Sequence, residues 1–251
     1  MIAVLLYHGI DDGRPSPRPM DDIDREYVLS RARFEAHIDY LAHVRADAVP
    51  VAISFDDGDA SCYTIAAPLL ERHGLRGLFF VVTGWIGRPG FMTADELCDL
   101  VRRGHAVHSH SRTHPKLSSL TPAEMDDELS GSKADLEALV GRPVTQVSIP
   151  GGAYDDRVIE AARRAGYEAV FTSVEGYNQQ PDAFLRRRFT PRTYSEVSML
   201  RDICEHPART RARIAVKRSI LAAAHGVLGS SRYGRLRGRL MAALRGPRPP
   251  E

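Results

Sequence analysis

This sequence lacks the features of a disulfide scaffold and of a membrane-spanning protein. Its three cysteines, Cys62, Cys98 and Cys204, are odd in number and widely spaced, so neither a disulfide framework nor a cysteine zinc site is predicted. No run approaches the roughly 20 apolar residues that a membrane-spanning helix needs. The apolar segment 1–7 has no preceding basic residues and is followed at once by His8. This pattern favours a buried strand over a signal peptide and predicts a cytoplasmic protein.

Charge is distributed unevenly along the chain. The 251 residues carry a formal net charge of +2, with 43% hydrophobic and 26% charged residues, which is typical of a globular protein. Residues 207–250 contain 11 basic and no acidic residues, whereas residues 1–206 contain 23 basic and 31 acidic residues. The contrast predicts a domain over 1–206 and a basic tail over 207–251, which face different partners.

The basic tail shows helical spacing of apolar residues among its arginines, over 213–224 and 236–244. A basic amphipathic helix can lie on an anionic membrane, so we expect peripheral contact of residues 207–250 with the inner membrane face. The alternative is a solvated helix that packs on the acidic domain. Nucleic acid is not expected as a partner, because no recognition motif or aromatic platform accompanies the charge.

Short apolar segments alternate with helical patterns over the first 206 residues. Capping boxes mark two helix starts, Thr93 with Glu96 and Thr121 with Glu124. Alternating strands and helices predict parallel pairing, and about seven such units predict a closed or nearly closed α/β barrel, with an open doubly wound sheet as the alternative. The predicted strands cover residues 2–7, 50–55, 77–82, 105–109, 144–149, 167–172 and 185–190.

Two adjacent carboxylates and a glycine end one predicted strand, where Asp56, Asp57 and Gly58 follow residues 51–55. Adjacent strand residues point to opposite sides, so the two acids can serve different roles. One can bind a metal while its neighbour acts as a base. The alternative is a strand-to-helix turn in which an aspartate caps the next helix, because Asp and Gly are common turn residues.

Four histidines, His105, His108, His110 and His114, lie within ten residues. The spacing of His110 and His114 allows two imidazoles to converge on one divalent metal. His105 and His108 are expected to be structural, and a set of surface or capping histidines is the alternative for the whole group. With Asp57, the two ligands would leave coordination positions open for water and substrate, as a catalytic metal requires.

Taken together, these motifs resemble those of the polysaccharide deacetylases, the NodB-homology family of carbohydrate esterases. The resemblance extends over about residues 1–195 of the chain. It implies a distorted (β/α)7 barrel and a metal-dependent hydrolase that removes an acetyl group from an N-acetylated sugar. The matching motifs are Tyr7-His8-Gly9-Ile10, Ser54-Phe55-Asp56-Asp57-Gly58, His110-Ser111-x-x-His114 and Ser148-Ile149-Pro150-Gly151-Gly152-Ala153-Tyr154-Asp155.

The resemblance also implies roles for single residues. Asp56 corresponds to the catalytic base, and Asp57, His110 and His114 correspond to the ligands of one divalent ion, usually zinc. The backbone N–H of Gly151 corresponds to a donor that stabilises the tetrahedral oxyanion.

The chain departs from the family pattern at two points. The third motif often begins with an arginine that orients the base, but Ser148 stands there. The family's usual general acid is a histidine near the end of the domain, and neither His206 nor His225 lies in a matching context. His8 is a possible substitute, with a structural role as its alternative, and Tyr154 is a candidate substrate contact. The general acid is therefore unassigned.

The expected substrate is an intracellular glycoconjugate precursor, lipid-linked or nucleotide-linked, because no signal peptide is seen. One alternative is another amide hydrolysis at the same metal site, such as deformylation. A second alternative is a catalytically silent carbohydrate-binding protein that keeps the metal ligands. Release of acetate from N-acetylated oligosaccharides distinguishes the enzyme from the binding protein.

Overall fold

The computed structural model describes residues 1–18, 20–180 and 183–221. Met1–Pro207 form one compact unit. Within the described ranges, no helix has both the length and the apolar character to cross a membrane.

A curved parallel sheet is the central element of the fold. Its strands and those of a small ribbon are β1 (Ala3–Tyr7), β2 (Ile10–Asp11), β3 (Leu29–Ser30), β4 (Val51–Phe55), β5 (Gly77–Val81), β6 (Ala106–Ser109), β7 (Gln146–Ser148), β8 (Ala169–Phe171) and β9 (Leu185–Arg186). β2 and β3 pair with each other, and within the described part of the chain the other seven form the main sheet in the order β1-β4-β5-β6-β7-β8-β9. Each of the seven predicted strand segments contains one of these strands.

The main sheet curls until its two edges meet. Beyond β9, Phe189 pairs with β1: the Leu6 N–H donates to the Phe189 carbonyl, and the Phe189 N–H donates to the Val4 carbonyl, both at 2.8 Å. All neighbouring strands of the sheet are parallel, and their order follows the chain without the reversal of a doubly wound sheet. The predicted distorted barrel of seven βα units is therefore confirmed.

Helices cover the outside of the barrel and begin where the capping patterns place them. They are α1 (Asp22–Arg25), α2 (Arg31–His43), α3 (Ala67–Arg72), α4 (Ala94–Arg102), α5 (Pro122–Asp126), α6 (Ser132–Val140), α7 (Asp156–Arg164) and α8 (Val197–Glu205). The capping boxes at Thr93 and Thr121 are both formed, and they satisfy backbone N–H groups at the starts of α4 and α5. A π-helical turn, Asp127–Gly131, joins α5 to α6.

Aromatic side chains fill the layer between the strands and α2. Phe55 of β4 stacks between Tyr7 of β1 and Phe79 of β5, with ring centroids 5.8 Å and 4.9 Å apart. Phe34 of α2 meets Tyr7 edge-on at 5.2 Å. These four rings are at most 1% exposed. Such pairs add to the stabilisation that comes from the burial of their apolar surface.

The interior of the barrel is filled by the side chains that point the other way. Val4, Phe80, Ala169 and Phe171 form one buried cluster. Successive strand residues alternate between the two faces, so each strand contributes to both layers. Because this cluster closes the middle of the barrel, the chemistry of the site is confined to the end where the strands finish.

The predicted basic tail lies largely outside the described residues. Residues 207–221 are helical, and within this segment Val216 and Ile220 are exposed. The amphipathic pattern over 236–244 and the proposed membrane contact of the tail fall on residues that the structure does not describe. The division into a domain over 1–206 and a tail thus stays a prediction.

Candidate active site

The predicted site residues meet at the carboxyl ends of the parallel strands. Asp56 and Asp57 directly follow β4, His110 directly follows β6, and His8 directly follows β1. Loops at this end of an α/β barrel carry the chemistry in essentially every characterised enzyme of that architecture. The positions of these residues therefore agree with an active site.

The three predicted metal ligands converge. Asp57, His110 and His114 each offer one ligand atom, and these atoms lie within 4.8 Å of one another. The Asp57 Oδ1 atom is 3.4 Å from His110 Nε2 and 3.6 Å from His114 Nε2. One carboxylate and two imidazoles form a donor set that suits zinc and similar divalent ions, so these residues fit the metal that the motifs imply.

Hydrogen bonding orients His110 for this role. Its Nδ1 lies 2.9 Å from the backbone carbonyl of Ser148, so Nδ1 carries the proton and Nε2 presents its lone pair toward Asp57. A second hydrogen bond of this kind is typical of histidines that bind metals. Burial lowers the pKa of His110, but the carboxylates of Asp56 and Asp57 outweigh burial, so its pKa is raised. Burial and the neighbouring His110 lower the pKa of His114 to about 4, which keeps His114 neutral.

Backbone strain is concentrated at this site. Among the described residues, the non-glycine residues with positive φ are Asp57 at 75°, Ser111 at 66° and His114 at 66°. Two of them are predicted ligands, and each such conformation costs of order 1 kcal/mol. The left-handed turn at Asp57 interrupts the alternation of β4. As a result, the carboxylates of both Asp56 and Asp57 lie within 4 Å of His110 Nε2, at 3.8 and 3.4 Å.

Glu128 holds the loop that carries His114. Its carboxylate is largely buried and accepts hydrogen bonds from the backbone N–H groups of Arg112 and Thr113, at 2.8 and 2.9 Å. It also accepts one from the Thr113 hydroxyl at 2.5 Å. Glu128 lies in the π-helical turn between α5 and α6, an irregularity frequent at functional sites. The sequence gives no signal for this residue, because its partners lie on a different loop.

Asp56 is held in place by a buried arginine. Arg188 donates to Asp56 Oδ1 at 2.8 Å and to Oδ2 at 2.9 Å, and the Ser148 hydroxyl donates to Oδ2 at 2.7 Å. Burial raises the pKa of Asp56, but Arg188 and His110 outweigh burial and hold its pKa below the ordinary value. Asp56 is therefore ionised at neutral pH and oriented at both oxygens.

Arg188 supplies the guanidinium that the third motif lacks at Ser148. It is completely buried, and its Nε also donates to the Thr172 carbonyl at 3.1 Å. Phe80 and Phe171 flank the guanidinium, each with its ring centroid at 5.8 Å. The sequence contains a hint of this role, since Arg186-Arg187-Arg188 places three arginines in a predicted strand. Pattern alone does not show which of the three points inward.

A second buried arginine contacts the other aspartate. Arg18 donates to Asp57 Oδ2 at 2.6 Å and to Asp59 Oδ2 at 3.4 Å. Its guanidinium thus takes the oxygen of Asp57 that does not face the histidines. Burial raises the pKa of Asp57, but His110, His8 and Arg18 outweigh burial, so its pKa lies well below the ordinary value. Arg18 was not predicted, because it lies in an irregular segment with no motif.

His8 lies beside the two carboxylates. Its ring is 5.0 Å from that of Tyr27, and its buried Nδ1 has no hydrogen-bond partner among the described residues. Burial lowers the pKa of His8 and outweighs the opposing effect of Asp57 and Asp56. A lowered pKa does not favour the protonated form that a general acid requires. The role of His8 stays a prediction.

Gly151 and Tyr154 follow β7 on the same rim. Gly151 lies in the short 3-10 turn Pro150–Gly152, is exposed and has a φ of 61°. Tyr154 is half-buried two residues after this turn. Their roles as oxyanion donor and substrate contact stay predictions.

The two remaining histidines of the cluster lie away from the proposed ligands. His105 accepts a hydrogen bond from the Gly77 N–H at 3.0 Å, and its Nε2 lies 2.9 Å from Glu71. His108 is buried against Phe80, and burial lowers its pKa to about 4. Both positions agree with the structural role expected for them.

Comparison with known proteins adds a second line of observation. The family model described as polysaccharide deacetylase matches residues 43–170, just over half of the chain. A chitooligosaccharide deacetylase from Bradyrhizobium is 31% identical over 127 residues, covering 50% of this chain and 56% of the relative. A peptidoglycan-N-acetylmuramic acid deacetylase, PdaA from Bacillus subtilis, is 29% identical over 126 residues, covering 49% of this chain and 46% of the relative.

A solved structure shows the same fold. The crystal structure of BC0361, a polysaccharide deacetylase from Bacillus cereus, has a TM-score of 0.69 and 23% identity, covering 80% of this chain and 68% of that one. The chain spans about half to two thirds of the length of the curated relatives that it matches.

Proposed function

The chain belongs to the polysaccharide deacetylase family, and from this premise we propose that it is a metal-dependent hydrolase that removes an acetyl group from an N-acetylated sugar. The substrate would be a polysaccharide or a glycoconjugate precursor. The observation that carries the proposal is the convergence of Asp57, His110 and His114 beside an oriented, ionised Asp56. A binding protein has no need for a second carboxylate held in this way.

The donor set supports one divalent ion, which we infer to be zinc. Asp57 would bind it through Oδ1, and His110 and His114 through Nε2. When bound, such an ion polarises the acyl carbonyl and lowers the pKa of a water molecule toward about 7. Arg18 keeps Asp57 Oδ2 occupied, which directs Oδ1 toward the two imidazoles.

Asp56 accepts the proton of the attacking water in this proposal. Its Oδ2 lies 3.8 Å from His110 Nε2, close to the ligands but held by Arg188 and Ser148. Those hydrogen bonds fix the direction of its lone pairs and keep the carboxylate ionised. Their cost is a weaker base, since a lowered pKa reduces the affinity of Asp56 for the proton.

Release of acetate tests the proposed function. The zinc-loaded protein should release acetate from N-acetylated oligosaccharides, and Asp56→Asn, which is nearly isosteric, should keep its metal but lose activity by about 10²–10⁴-fold. Release of formate from N-formylated sugars without acetate would favour deformylation. Binding of sugar without any product, or full activity of Asp56→Asn, would contradict the proposal.

A further inference from the structure

A short segment at the rim of the barrel connects the two metal-binding loops. This rim segment, residues 83–92, is tied at its start to the histidine loop, where the Gly84 N–H donates to the Arg112 carbonyl at 2.8 Å. At its end it is tied to the aspartate loop, where the Met92 N–H donates to the Gly58 carbonyl at 2.9 Å. Side chains on the rim segment are therefore fixed relative to the proposed ligands.

The rim segment carries two aromatic rings beside the metal centre. Trp85 lies 5.1 Å from His114 and 4.9 Å from Phe91, measured between ring centroids. Both Trp85 and Phe91 are half-buried, so part of each ring faces solvent. The Arg18 guanidinium lies 5.4 Å from the Phe91 ring and secures it from the opposite side.

We propose that Trp85, supported by Phe91, stacks on a pyranose ring of the N-acetylated substrate. The inference rests on the proposed function. An acetamido carbon attacked at the metal is joined through one nitrogen to the sugar, so the sugar ring must lie next to the ligands. Trp85 is fixed at that distance, and an indole offers a flat apolar surface with a polar N–H at its edge.

The competing explanation is that Trp85 only packs on His114 and positions this ligand. The two roles differ in what they affect. A packing role changes metal affinity, whereas stacking on substrate changes sugar affinity at a fixed metal content. Contact with one sugar face buries about 50 Å² of apolar surface, which corresponds to about a tenfold change in sugar affinity.

Trp85 is the single tryptophan of the chain, so intrinsic fluorescence reports on this position alone. The probe is triacetylchitotriose, added to zinc-loaded Asp56→Asn protein, which should bind the sugar without turning it over. Saturable change of the Trp85 emission is the expected result. Titration with zinc alone is recorded first, so that the effect of the metal is separated from that of the sugar.

Substitution measures the contribution of the ring. By calorimetry with zinc bound, Trp85→Ala should bind triacetylchitotriose about tenfold more weakly than the wild-type ring, while Trp85→Phe keeps most of the affinity. The matched control is Tyr63→Ala, which removes a half-buried ring next to Arg103, away from the proposed ligands. In steady-state kinetics on the otherwise unchanged protein, Trp85→Ala should raise KM about tenfold and change kcat less.

The outcomes separate this proposal from the one on which it rests. Equal sugar affinity in Trp85→Ala and the parent protein, or a loss confined to zinc affinity, would overturn the stacking role and leave the deacetylase proposal standing. If triacetylchitotriose bound to neither protein, both would be overturned for this sugar class.

Discussion

Arg188 and Asp56 lie 132 residues apart in sequence and form a two-point ion pair in the barrel, with N–O distances of 2.8 and 2.9 Å. Both side chains are at most 3% exposed. A pair buried this deeply contributes little net stability compared with apolar groups, but breaking it by removal of one partner is strongly destabilising. Its value lies in the fixed direction of the Asp56 carboxylate.

Replacement of Arg188 by lysine should impair turnover more than substrate binding. A single ammonium cannot hold both oxygens of Asp56, so we expect kcat to fall about 10–100-fold with a smaller change in KM. The acid limb of the pH–rate profile should move to higher pH, because Asp56 loses part of the charge that lowers its pKa. Arg187→Lys, at an exposed neighbouring position, is the control. An unchanged kcat in Arg188→Lys would show that the base is oriented by other groups.

Removal of either imidazole should weaken metal binding. The purified protein should bind about one zinc ion, and His110→Ala or His114→Ala should lower its affinity strongly, since two protein ligands hold zinc poorly. Zinc content and the metal-induced rise in Tm measure the effect. His43→Ala, which removes an exposed histidine, should behave like the wild type. Full metal occupancy in a His110→Ala/His114→Ala double variant would exclude this site.

Glu128→Gln should weaken metal binding without touching a ligand. A glutamine cannot accept all the hydrogen bonds that Glu128 receives from Arg112 and Thr113, so the loop that fixes His114 should loosen. Loss of such outer partners typically costs about 10–100-fold in metal affinity. Activity at limiting zinc should fall and should recover in excess zinc. Glu160→Gln, on an exposed face of α7, is the control, and failure of excess zinc to restore activity would contradict a positioning role.

Acid should destabilise the fold in part through His37. This histidine is fully buried between the Tyr7 hydroxyl and the Ser195 carbonyl, and burial lowers its pKa. Below its unfolded pKa of about 6.5, the unfolded chain therefore binds a proton more readily than the folded one, and the free energy of unfolding falls. His37→Gln should reduce this pH dependence, as measured by urea unfolding at pH 7.5 and 5.5. Equal losses in both proteins would rule out a contribution of His37.

The tail should bind anionic membranes reversibly, if its basic residues act as predicted. Each basic residue near an anionic surface contributes about 1 kcal/mol, and the attraction decays over a Debye length of about 8 Å. The full chain should therefore sediment with anionic but not neutral vesicles, and less at high salt. A chain that ends at residue 206 should remain in the supernatant. If both proteins remain in solution, the membrane prediction is wrong.

The fold could be predicted from local patterns, because each strand is a short apolar segment between recognisable helix signals. The convergence of Asp57, His110 and His114 also followed, since parallel strands end at the same edge. Arg188 and Glu128 could not be predicted from spacing. Their partners lie on distant segments, and which arginine of the 186–188 run faces inward depends on the closure of the barrel.

The reach of Arg188 across the ring has a consequence for synthesis of the chain. Asp56, Asp57 and the two histidines are all present once residue 114 has been made, but the counter-ion of Asp56 lies beyond the last strand and outside the segment 43–170 that the family model covers. Until that strand closes the ring, the Asp56 carboxylate has no guanidinium beside it. A nascent chain can thus collect its metal ligands early, whereas an oriented base is acquired only with the final closure of the barrel.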